Sequence, residues 1–170
     1  LRQIEVEGSP LPKLRYGSAG NLYPVQAYLY VKHGRIEGLE GGTYYYNPKD
    51  HALFRLAASD GVSASLYDSV NHELFERASF GIFLIARLAA IAPLYGESSL
   101  RFATLEAGLM TQLLEESAPE HRIGLSQVGG VRFQSIRGLF ALDETHELVH
   151  ALLGGRIAVQ QTGFGRFREE

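Results

Sequence analysis

The chain of 170 residues contains no cysteine. That absence excludes disulfides, thiolate metal sites and a cysteine nucleophile, and it is compatible with a cytoplasmic protein. The nucleotide-binding fingerprints are missing as well. No glycine loop ends in Lys-Ser or Lys-Thr, no Gly-x-Gly-x-x-Gly joins a strand to a helix, and Gly163-Phe164-Gly165 is too short to count. His146 and His150 are four apart, but a strand places them on one face of an exposed end with no carboxylate as third ligand, so no metal is expected. Ser18 sits in Gly-Ser-Ala-Gly yet leads from a loop into a strand, the reverse of a nucleophile elbow. The longest apolar run, around Ile82 to Ala86, is interrupted by Arg87, so neither a membrane span nor a signal peptide is read. Basic residues are scattered and the formal net charge is -3, which argues against a nucleic-acid partner.

What is present is an ordinary globular balance, 45% hydrophobic and 21% charged, in a length that suits one domain with a substantial core. The chain opens mid-pattern with Leu1-Arg2-Gln3-Ile4 and closes on Gly163-Phe164-Gly165-Arg166. The expectation is a domain cut from a longer polypeptide: a single unit over 1–157 whose N-terminal part is missing, then a linker or tail over 158–170.

The stretch Arg15 to Gln26 organises the rest. Gly17 and Gly20 permit close backbone approach, Ser18 and Asn21 add short polar side chains, and Pro24 fixes the entry into an apolar run. Val25–Val31 follows as a strand, then Thr43–Tyr46 and His51–Leu56 as a hairpin turned by Asn47-Pro48-Lys49-Asp50. The Tyr44-Tyr45-Tyr46 run reads as strand packing. Ser59-Asp60-Gly61 starts a helix on which Leu66, Val70, Leu74 and Phe75 share a face. Phe80–Ala86 is a buried central strand and Ala92–Gly96 a break. Ser98–Ala118 is the clearest helix, with Leu100, Leu105, Leu109, Leu113 and Leu114 as its apolar face and Pro119 as its stop. Gly108 within it costs about 1 kcal/mol against alanine, which suggests something packed closely on that face. Ile123–Gly130 is a second glycine-rich loop, followed by a short helix near Phe133–Phe140 and a last strand, Glu147–Leu153. The fold class is α+β (mixed α/β), a central mixed sheet flanked by helices.

Three separated pieces carry a resemblance. Gly17-Ser18-Ala19-Gly20-Asn21-Leu22-Tyr23-Pro24, Leu105-Glu106-Ala107-Gly108 with Gln112, and Gly124-Leu125 with Val128-Gly129-Gly130 stand in the order and spacing of the nitroreductase-like flavoproteins. The similarity is greatest to the azoline-dehydrogenase branch. Leu11-Pro12-Lys13, Gly42–Tyr46, Ala92-Pro93-Leu94-Tyr95-Gly96 and Leu152–Arg156 resemble oxidase domains embedded in nonribosomal peptide synthetases. The resemblance covers about Leu11 to Ile157.

It implies FMN at the interface of a homodimer or pseudo-dimer. Ser18, Ala19, Gly20, Asn21 and Gln112 are carried into the cofactor site, with Val128, Gly129 and Gly130 near the ring edge and Arg156 on the phosphate. The implied reaction turns a thiazoline or oxazoline on a carrier-protein-tethered substrate into a thiazole or oxazole, or desaturates the Cα–Cβ bond of an aminoacyl thioester, with O2 reoxidising the flavin. Tyr95 is the candidate base. Its neighbour is Leu94 where the branch has lysine, so either a cation comes from elsewhere, Lys13 and Arg15 being candidates, or Tyr95 only orients the substrate. The branch's N-terminal arginine-rich segment is absent from this sequence, and Gly17 replaces a common proline. Two other readings stay open: a stand-alone nitroreductase-like enzyme using a nicotinamide donor, and a non-catalytic oxidase domain serving as a docking module.

Overall fold

A computed structural model describes residues 1–8, 12–58 and 61–157. Leu11, the helix start at Ser59-Asp60 and the linker expected over 158–170 lie outside the described residues.

The core is a six-stranded sheet. Counting a short ribbon of β1 (Gln3–Ile4) and β2 (Lys13–Leu14), its strands are β3 (Val25–Val31), β4 (Gly42–Asn47), β5 (Ala52–Ala57), β6 (Phe80–Arg87), β7 (Ile123–Val128) and β8 (His146–Arg156). Their order is β5-β4-β3-β6-β8-β7, and every pairing is antiparallel. The α+β class holds. The sheet expected to be mixed has antiparallel neighbours throughout, because the chain passes between most neighbouring strands without a parallel crossover.

β6 lies at the centre. Its residues from Gly81 to Ala86 are all buried, which is why it reads as an uninterrupted apolar run rather than an alternation. Tyr28, Tyr30, Phe83, Ile85, Ala151 and Leu153 point to one face, covered by the segment from Val62 to Ala78 and by Phe133, Ile136 and Phe140. Ala27, Ile82, Leu84, Ala86 and Leu152 point to the other, covered by a long helix. The tyrosine run is packing, as expected: Tyr45 tilts onto Tyr28, and Tyr44 donates to the Glu40 carbonyl at 2.6 Å.

Several local expectations are corrected. The helix from Gly61 onward is only α1 (His72–Arg77), preceded by two turns of 3-10 helix, because Tyr67 and Asp68 adopt extended backbone and break the run. Ala92–Gly96 is not simply a break: α2 (Ala92–Tyr95) is one turn opened by Pro93. Ile123–Gly130 is not a loop but edge strand β7 followed by a short turn, its glycines tolerated where one side of the ladder is open. The short helix near Phe133 is two 3-10 turns. β8 carries a bulge: Leu84 pairs with His150 but Ile85 with Leu148. The extra residue puts His146 and His150 on opposite faces. His146 is buried beside Asp143 at 2.8 Å, and His150 contacts Gln127 at 3.1 Å.

α3 (Ser99–Ser117) has the expected span but a largely different buried face: of the five leucines expected inward, Leu114 packs against the core. Its buried residues are Ser99, Ala103, Glu106, Ala107, Met110 and Thr111. Leu105 is 58% exposed, Leu109 50%, and Leu100 is exposed as well. Small residues let the helix axis approach the sheet, so alanines rather than leucines meet β3 and β6. Among the described residues nothing lies within 4 Å of a Cβ on Gly108, so they do not make the close packing expected there.

Candidate functional site

The segment from Ser18 to Asn21 is a tight 3-10 turn at the β3 end of the sheet. Gly20, Asn21 and Tyr23 all have positive φ, so the path is left-handed at three of four consecutive positions. Side chains hold it there. The Tyr23 N–H donates to Ser18 Oγ at 2.9 Å, and Lys13 Nζ donates to Asn21 Oδ1 at 2.5 Å. Tyr95, at the end of α2, turns its hydroxyl toward the turn, 3.0 Å from where a Cβ on Gly20 would stand. Its ring is braced edge-on by Phe102 of α3, centroids 4.8 Å apart. Ser18, Ala19, Gly20, Asn21 and Tyr95 are therefore one cluster. Lys13 enters it through Asn21, whereas Arg15 is exposed and makes no ion pair among the described residues.

Behind the cluster lies a residue that the sequence reading quoted without a role. Glu106 of α3 is 2% exposed and accepts from the Val25 N–H at 3.1 Å, with the Ser18 hydroxyl beside it. Burial pushes its carboxyl up to about 7, against the opposing effect of the Ser18 hydroxyl and the Val25 hydrogen bond. Its Oε2 is buried with no partner. Only its place among the small residues of the helix could have signalled this, since a glutamate ordinarily marks a solvent face.

The remaining predicted residues lie elsewhere. Val128 is buried in the core, while Gly129 and Gly130 leave β7 exposed. The Asp68 carboxylate rests against Gly130 where a Cβ would stand, so a side chain there would have to displace it, and the φ of 56 favours glycine as well. Arg156 closes β8 at the far end. It lines a groove of about 490 Å³ with Val70, Leu74, Arg77, Ser126 and Gly154. Val70, expected on one helix face with Leu66, Leu74 and Phe75, is instead 83% exposed, and Arg77 was not singled out by sequence. Arg156 has no ion-pair partner among the described residues, and Arg77 has only a loose one, Glu73 at 3.8 Å. Gln112 is on the exposed side of α3, bonded to Glu116 at 2.9 Å, and joins neither group.

The two groups are well separated within one chain. Gly154 pairs with Phe80 and Val25 with Ala86, so six residues of β6, about 20 Å at strand rise, lie between the Arg156 end and the Ser18 end.

Residues 12–156 match the Nitroreductase family. The chain belongs to that family. Among curated relatives it is similar to indigoidine synthase of Dickeya dadantii, 27% identical over 116 residues, or 68% of this chain and 7% of that protein. It is similar also to indigoidine synthase of Streptomyces lavendulae, 28% identical over 115 residues, 68% of this chain and 8% of that one. The chain thus spans less than a tenth of the length of either. Among solved structures it resembles a chain of the E. coli microcin synthetase McbBCD complex with truncated pro-MccB17 bound. That match has a TM-score of 0.72 and 23% identity, covering 89% of this chain and 57% of the other, and bears on the fold alone.

Proposed function

We propose that this nitroreductase-family domain is an FMN-dependent oxidase acting on an azoline or aminoacyl thioester tethered to a carrier protein. The observation that carries the reading is the division of the site into two half-sites about 20 Å apart in one chain. An anion-binding groove at Arg156 and a strained polar rim at Ser18–Asn21 become one site when a second copy supplies the other half. The leucines of α3 support that arrangement, since Leu100, Leu105 and Leu109 form an apolar surface left exposed among the described residues.

The residues fit the cofactor. Arg156 and Arg77 present guanidinium donors at the groove, suited to a phosphate group. Gly129 has nothing within 4 Å of its Cβ position, so its backbone is open to a flat ring system. A bound flavin supplies hydride acceptance, and O2 returns it to the oxidised state. The rest falls to the chain. Ser18, Ala19, Gly20 and Asn21 form the rim that orients the substrate against the ring. Tyr95, held by Phe102, takes the proton released as the C–H bond is oxidised, with Lys13 bringing positive charge to the same cluster through Asn21.

The peptide-synthetase setting draws support from the indigoidine synthase relatives, whose names belong to proteins far longer than this chain. The test is to purify the protein with FMN and record its flavin absorbance. It is then mixed anaerobically with an azoline thioester on a carrier protein, or with a reduced nicotinamide. Bleaching by the thioester and not by the nicotinamide supports the proposal. Bleaching by the nicotinamide alone would move the reading to a stand-alone reductase, and failure to take up any flavin would leave a docking module.

A further inference from the structure

The segment from Ser18 to Val25 is tied at both ends to one buried group. At its start, the Ser18 hydroxyl lies beside the Glu106 carboxyl, and its Oγ accepts from Tyr23 N–H at 2.9 Å. At its end, Val25 N–H donates to Glu106 Oε1 at 3.1 Å. Between those anchors, Gly20, Asn21 and Tyr23 hold positive φ. Such backbone persists only where surrounding contacts over-determine it. Glu106 is the one titratable group making that determination from inside the core, and its second oxygen is buried and unpartnered.

We propose that Glu106 is a positioning residue for the Ser18–Asn21 rim, and that loss and gain of its proton switch the rim between a tight and a loose state. The proposal rests on the reading of that rim as flavin-facing.

The direction follows from hydrogen-bond chemistry. An ionised carboxylate accepts a charge-assisted bond from the Val25 amide and draws in the Ser18 hydroxyl beside it, and such bonds are shorter and about twice as strong as neutral ones. A protonated carboxyl is a weaker acceptor, and its own O–H finds no acceptor at Oε2. The rim is therefore tight when Glu106 is charged. With the carboxyl pushed up to about 7 by burial, the change falls at neutral pH.

No competing charge sits at the same point. From the segment before the rim, the Tyr16 phenol faces Glu106, and it is held protonated by burial first and by that carboxyl second. On the sheet face under α3, Val25, Ala27, Ile82, Leu84, Ala86 and Leu152 are apolar. The titratable side chain of β8, His150, is engaged by Gln127, with Glu115 as its nearest acidic influence. Lys13 is bonded to Asn21. Among the described residues, no cation pairs with Glu106.

The test is amide hydrogen exchange by NMR over Asn21 to Val25, with intrinsic rates divided out, alongside the 13C signal of the Glu106 carboxyl and FMN titrations at about pH 6 and pH 8.5. Wild type is expected to gain about tenfold protection, and about tenfold in FMN affinity, across one ionisation that coincides with the Glu106 signal. Glu106→Gln removes the pH response. Ser18→Ala leaves the Glu106 signal titrating but disconnects the rim from it, and Ser18→Thr restores the connection. Protection independent of pH in wild type, or an unchanged response in Glu106→Gln, overturns the switch. Should Glu106→Gln fail to fold, a rim response that survives in Ser18→Ala overturns it equally. A Glu106-dependent rim with no FMN bound at either pH upholds the switch and removes the flavin reading. FMN binding over a rim that never responds does the reverse.

Discussion

The hydroxyl of Tyr95 stands 3.0 Å from the point where a Cβ on Gly20 would lie. The first prediction follows from that contact. Gly20→Ala forces a side chain into a φ of 60 and against the phenol, so it is expected to cost about 1–2 kcal/mol of stability in urea unfolding. Tyr95→Phe keeps the ring against Phe102 and removes only the hydroxyl. It is expected to lower turnover about 100-fold while leaving the flavin dissociation constant unchanged. Equal losses in both quantities would make Tyr95 a packing residue.

Arg156 is the second target. It lines the groove at the far end of β8 with no ion-pair partner among the described residues, so truncating it disturbs little else. Arg156→Ala is expected to weaken FMN by about 10- to 100-fold, the worth of a hydrogen bond to a charged group. Riboflavin, which lacks the phosphate, should bind wild type and variant alike. A variant that loses both ligands equally would place Arg156 in the fold rather than on the phosphate. Fluorescence titration with each ligand decides.

How much of this was legible follows from what each residue signals. The central strand was plain, because burial on both faces of β6 leaves no polar residue between Gly81 and Ala86. The β4–β5 hairpin was plain through its Asn47-Pro48 turn. The face of α3 was not, because its buried side is alanine, methionine and a glutamate, while its most hydrophobic residues point away from the sheet. A hydrophobicity pattern reports what wants to be covered, and among the described residues Leu105 and Leu109 are left exposed. β7 was hidden by Gly124 and by its place at the sheet edge. The glycine rim and Tyr95 were recognised and the structure brings them together. Glu106 lay within a quoted motif, but its role depends on Ser18 and Val25, which are 88 and 81 residues away in sequence, and no local pattern carries that.

That uncovered leucine surface gives a third prediction. Met110 is buried against the sheet, so Met110→Ala is expected to cost about 2–5 kcal/mol in any oligomeric state. Leu105→Ala should change the stability of the isolated chain by less than about 0.5 kcal/mol. Leu105→Glu with Leu109→Glu is expected to leave the fold intact by circular dichroism, convert a dimer to monomers in sedimentation, and abolish flavin uptake with it. Flavin retained by a monomer would mean that one chain holds the whole site.

The fourth prediction concerns stability against pH, and its sign comes from Glu106. The carboxyl is raised from 4.5 to about 7 in the fold by burial, so the native state keeps a proton that the unfolded chain has released. Between those values the native state binds more protons, and stability falls as pH rises. The Glu106 contribution is therefore fully present below about pH 4.5 and gone above about pH 7, a change on the order of 3 kcal/mol. Glu106→Gln, neutral at every pH, has no such slope. The difference between the two unfolding free energies isolates this residue from every other titrating group, because all the others cancel. Wild type should lose ground to the variant steadily from pH 4.5 to 7 and then run parallel to it. A difference that is flat, or that grows in favour of wild type as pH rises, would mean that the buried carboxylate is compensated in solution by a group that does not reach it here.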